Sequence, residues 1–165
     1  MEPEDYQAVL ERYDAPDPEH AEYPPSVDWL EEDTRFKAFL GDLQTAMGMK
    51  LWVDESPQDA ASFHSEVFIP REGECRTDEP VAGTVVVAGG VRIVGVSLRF
   101  SNFGNLAAVN DEEESISPET LELVKALLAR HGYTYIPHSA WEGPYTGKNP
   151  CFTEKAWWFR YFDYV

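Results

Sequence analysis

The chain has 165 residues, 30 of them Asp or Glu against 13 Lys or Arg, for a formal net charge of -17. A surface of that sign repels nucleic-acid phosphates and anionic membranes and attracts basic partners, so nucleic acid and membrane are excluded as targets. With 43% hydrophobic and 13% aromatic residues the sequence can bury a core without disulfide or metal, and a disordered chain is excluded.

The length fits a single domain over 1–165. The acidic segment 1–33 is set apart. It carries twelve acids and one base, Arg12, and so supplies eleven of the seventeen net charges. Such asymmetry marks an interaction surface or a solvated tail. A helix is expected over 4–13, where Tyr6, Val9, Leu10 and Tyr13 share one face and Pro3 suits the first turn. Residues 14–27 contain Pro16, Pro18, Pro24 and Pro25 and read as an extended connector, leaving the segment peripheral.

A second helix is expected to be capped by Asp33, with Phe36, Phe39, Leu40, Leu43 and Met47 as its apolar stripe and Gly48 as its stop. Strands are expected at 50–54 and 63–69, followed by a polar loop over 73–83. Around Gly89-Gly90 the runs 84–88 and 91–100 read as a hairpin, which 105–109 extends to a three-strand meander. On the second of these strands Val94, Val96, Leu98 and Phe100 share a face, while Arg92, Ser97 and Arg99 make the other face wetter.

Asp111, Glu112, Glu113 and Glu114 form a run of four acids. Ser117 then caps a third helix with Pro118 in its first turn, Leu121, Val124, Leu127 and Leu128 on its face, and Gly132 after its end. A short strand is expected at 133–137. Residues 133–165 hold eleven of the 22 aromatic residues, and aromatic density favours a strand over 156–165. The class is therefore α+β: an antiparallel sheet of about five strands, with two or three helices packed on one face.

Motifs for chemistry are sparse. No Gly-x-Ser-x-Gly elbow is present, and Gly143-Pro-Tyr-Thr-Gly147-Lys148-Asn149 departs from a phosphate loop. Its glycines are one residue too close, Asn follows the lysine, and Pro144 removes a backbone donor. No catalytic residue, cofactor or metal site is assigned. His64 and Glu66 on one strand face, with Arg99 and the 141–148 loop, mark an alternative small-ligand site near the sheet. Cys75 and Cys151 lack Cys-x-x-Cys spacing, which fits a reducing compartment, with Cys151 expected as a small buried residue. The acidic N-terminus is unlike a signal peptide and no run approaches ~20 apolar residues, so a cytoplasmic location is expected.

These features favour a protein-binding module for a basic partner, resembling nuclease immunity proteins in size and charge only. The candidate contacts are Glu19, Glu22, Asp28, Glu31, Glu32, Asp111, Glu112, Glu113 and Glu114, with Trp141 and Trp158 as aromatic anchors. The alternatives are a small-ligand binder or enzyme, and a homodimer paired through an open sheet edge.

Overall fold

The computed structural model describes residues 5–17, 19, 21–55, 61–70, 84–87, 90–93, 95–110 and 115–164. The 73–83 loop, with Cys75, and the acids at 111–114 lie outside them. Helix α1 (Tyr6–Tyr13) is capped by Asp5, whose carboxylate accepts the Ala8 N–H. Helix α2 (Trp29–Met47) starts earlier than its apolar stripe suggests. Its cap is Asp28, which accepts the N–H groups of Leu30 and Glu31. Asp33 is instead one turn inside the helix and pairs with Lys37 at 2.8 Å, as side chains four residues apart on a helix can. Gly48 ends α2 in the left-handed conformation at φ 67°, the usual role of glycine at a helix end. In helix α3 (Pro118–Arg130) Ser117 accepts the Thr120 N–H, as its cap position requires.

The strands of the described residues are, in sequence order, β1 (Trp52–Asp54), β2 (Phe63–Ile69), β3 (Thr84–Val87), β4 (Gly90–Ile93), β5 (Val96–Ser101), β6 (Leu106–Val109) and β7 (Thr134–Ile136). Five form one sheet in the order β1-β2-β5-β6-β7, antiparallel except for the β6/β7 pair, which α3 connects as a crossover. The three strands expected as one meander divide between two sheets. Among the described residues β3 and β4 pair only with each other, and β2 takes the place beside β5. The run 91–100 breaks at Gly95, where φ is 154° and a Cβ would stand 2.9 Å from the Ile69 carbonyl oxygen. Only glycine passes there.

The fold class is α+β, and α2 and α3 share one face of the sheet as expected. Phe36, Phe39, Leu43, Val124 and Leu128 pack there on Val67, Ile69, Val96, Leu98, Phe100, Ala107 and Val109. The opposite face is also covered. Leu106, Ala108 and Ile136 meet α1 and the aromatic C-terminal segment, so the sheet is the middle of three layers.

That segment contains α4 (His138–Trp141), a 3-10 turn (Pro150–Phe152) and α5 (Trp157–Tyr161) in place of the expected strand. The pattern explains the difference. Trp157, Trp158, Tyr161 and Phe162 recur at helical spacing and are all buried in one cluster, whereas a strand would turn every second ring away. Cys151 is exposed, because the buried member of its 3-10 turn is Phe152. Among the described residues no helix is long and apolar enough to cross a membrane.

Candidate functional site

The structure separates the sequence candidates. Trp141 and Trp158 are 8% and 7% exposed, with ring centroids 4.4 Å apart inside the C-terminal core. They are not surface anchors, because both rings belong to the layer that covers the sheet. Glu32 is buried and takes both oxygens to the Arg35 guanidinium, so it is not a free surface charge either. Glu19, Asp28 and Glu31 are exposed and Glu22 partly so. Asp111, Glu112, Glu113 and Glu114 lie outside the described residues.

Two apolar residues that the sequence reading did not single out stand among the exposed acids. Trp29 is 42% and Leu30 76% exposed. Trp29 lies seven residues before Phe36, in the same stripe but beyond the packed core, and its ring meets Tyr23 edge-on at 4.9 Å. Leu30 aligns with Thr34 and Lys37 on the solvated side of α2. The signal for both is the position of the helix start: once Asp28 is the cap, they fall in the first turn, ahead of the residues that pack on the sheet.

Behind this turn opens a cleft of about 400 Å³. Its walls come from the end of α1 (Arg12, Tyr13), the connector (Pro24, Ser26), α2 (Asp28, Glu31, Glu32, Arg35) and the β5–β6 turn (Asn102 to Asn105). Arg35 organises the floor. Besides Glu32 it bonds Glu31 and the Asn105 side-chain oxygen, both at 2.5 Å, and lies over the Tyr133 ring. Burial pushes the Glu32 carboxyl above its ordinary pKa, and the Arg35 hydrogen bonds only partly offset it. Gly104 and Asn105 both take positive φ, and a Cβ on Gly104 would press on the Tyr13 ring. That contact holds Tyr13 at the rim.

His64, Glu66 and Arg99 do not form one site. Between Phe63 and Ser65 the β2/β5 register shifts by a bulge. His64 consequently packs its ring against Phe36 and Phe100 on the α2 face. Its pKa falls to about 4 because burial disfavours the imidazolium. Glu66 points to the other face, where it accepts from Arg99 Nε at 2.8 Å and from the Ser97 hydroxyl. Arg99 also donates to the Phe162 carbonyl at 2.6 Å and stacks on Phe63. This cluster fastens the C-terminal segment to the sheet.

The 143–149 loop does bind an anion, but an internal one. The Asp14 carboxylate accepts the Lys148 N–H at 2.5 Å and the Tyr145 hydroxyl at 2.6 Å, and pairs with Arg160 Nε at 2.8 Å. A Cβ on Gly147 would overlap both Asp14 and Tyr145, so glycine is obligatory there. Burial, followed by the Asp14 hydrogen bond, pushes the Tyr145 phenol pKa up.

Comparison with known proteins finds no matching family, no matching curated protein and no matching solved structure. Among the described residues no group of three or more His, Cys, Asp or Glu is placed to hold a metal ion.

Proposed function

We propose that this protein is a binding module for a basic protein partner, of the immunity or inhibitor type, and that it docks through the face formed by the connector and the first turn of α2. The observation that carries this reading is the exposure of Trp29 and Leu30 in a helical turn that also presents Asp28 and Glu31 to solvent. An exposed Trp and Leu side by side in one helical turn offer a partner apolar surface to bury. Tyr23 supports the Trp29 ring, Asp28 and Glu31 share its helical turn, and Glu19 and Glu22 line a pocket with Tyr23. An apolar anchor with a charged rim is the anatomy of a recognition patch: the anchor supplies affinity, and the acids steer a partner of opposite sign.

Affinity capture from host lysate at low and at moderate salt tests this. Retention of a basic protein that salt weakens, and that a Trp29→Ala, Leu30→Ala variant fails to retain, is the expected outcome. Retention that ignores both salt and the variant would count against the reading.

A further inference from the structure

In a chain with more than twice as many acids as bases, almost any cation should find a carboxylate. Arg35, Lys37, Arg99, Lys125, Arg130 and Arg160 do so. Arg12 and Lys148 are among those that make no ion pair within the described residues. These two, far apart in sequence, line one cleft of about 350 Å³ with Glu11, Thr146 and Gly147. Both are exposed, so their mutual repulsion is screened, but two cations lining one cavity without an ion pair favour an anion between them.

The frame behind them is rigid. The Lys148 backbone is held by its N–H bond to Asp14, and Gly147 is pressed against Asp14 and Tyr145. Asp14 does not neutralise the cleft, because Arg160 already compensates it. Glu11, the one carboxylate among the described residues that lines the cleft, accepts from the Thr146 hydroxyl at 3.0 Å and the Gln7 amide at 2.8 Å. It is tied to the wall rather than to either cation. The result is a local reversal of sign on an acidic surface.

We infer that this cleft is a binding site for a small oxyanion of the phosphate type. Arg12 would contribute a forked guanidinium and Lys148 a point charge. Gly147 would add a backbone N–H that has no hydrogen-bond partner among the described residues. The cavity is roomier than a bare phosphate needs, which points to the terminal phosphate of a small metabolite rather than to the free ion. Arg12 also lines the cleft behind the first turn of α2, but the remaining residues of the two sites differ, and the anion site does not rest on the docking proposal.

The test is a ¹⁵N-resolved titration of the full chain with inorganic phosphate and, separately, with glycerol 3-phosphate, with chloride holding ionic strength constant. Saturable shifts confined to Arg12 and to 146–148 are expected. Tighter binding of the monoester identifies a metabolite headgroup, and equal binding of the two identifies the free ion; both uphold the oxyanion site. Arg12→Gln and Lys148→Gln should each weaken binding by about tenfold, the loss expected for one charge-assisted contact. Their unfolding midpoints without phosphate should stay at the wild-type value. Absence of saturation with both probes, or variants that bind like the wild type, would overturn the inference.

Discussion

Asp14 and Arg160 meet in the interior 146 residues apart in sequence, Nε to Oδ1 2.8 Å, with neither side chain reaching solvent. The pair joins the start of the acidic connector to the last helix. Arg160 further donates to the Ala21 carbonyl at 2.6 Å and lies over the Phe103 ring, while Asp14 collects the 143–149 loop. One ion pair thus ties together the connector, the loop and the C-terminal aromatic layer, and so holds in place the segment that leads into the proposed docking face.

Removing one partner should be far worse than removing both. Asp14→Ala leaves a buried guanidinium unpaired and is expected to cost about 3–5 kcal/mol. Adding Arg160→Met should recover part of that loss, since the unpaired charge goes with it. Urea unfolding of the two variants measures both effects.

Two glycines should respond to alanine with opposite signs. Gly147→Ala drives a methyl into Asp14 and Tyr145 and is expected to destabilise by about 1–3 kcal/mol. Gly41 lies within α2 with nothing near its virtual Cβ, so Gly41→Ala should stabilise by about 0.5–1 kcal/mol. Thermal or urea midpoints compare them directly.

The buried His64 gives a pH dependence. Its folded pKa of about 4 lies below the unfolded 6.5, so between these values the unfolded chain binds the extra proton and stability falls as pH falls. The full loss is on the order of 3 kcal/mol. Glu32 acts in the opposite sense: its raised carboxyl pKa favours the folded state at low pH and loses that contribution as pH rises through the folded value. His64→Leu should flatten the acid slope of stability between pH 6.5 and about 4, as followed by urea midpoints.

Two tryptophans distinguish core from surface. Trp158, buried in the C-terminal cluster, should cost about 3–5 kcal/mol on truncation to Ala, as for a large core side chain. Trp29→Ala should cost under about 1 kcal/mol, because half-exposed rings lose little on truncation. Urea midpoints of the two variants separate the cases.

Local signals in the sequence carried the helices. Ser117-Pro118, Gly48 and the Phe36, Phe39, Leu43 stripe are each set by contacts within a few residues, and all appear where expected. The start of α2 was less legible, because Asp28 and Asp33 both precede apolar residues and only the fold shows which N–H groups are unpaired. Strand partners were legible only in part: Gly95 reads as an ordinary strand glycine until Ile69 is beside it. The Asp14–Arg160 pair and the Arg12–Lys148 cleft left no trace, since charges so far apart in sequence meet only once the three layers have assembled.

The most direct measurement is calorimetric titration of the captured basic partner into the wild type and into the Trp29→Ala, Leu30→Ala variant, with unfolding midpoints recorded for both proteins. A loss of affinity of at least about 30-fold is expected, in keeping with two central anchors, at nearly unchanged stability. Equal affinity for the two proteins would contradict it and remove the start of α2 as the docking face.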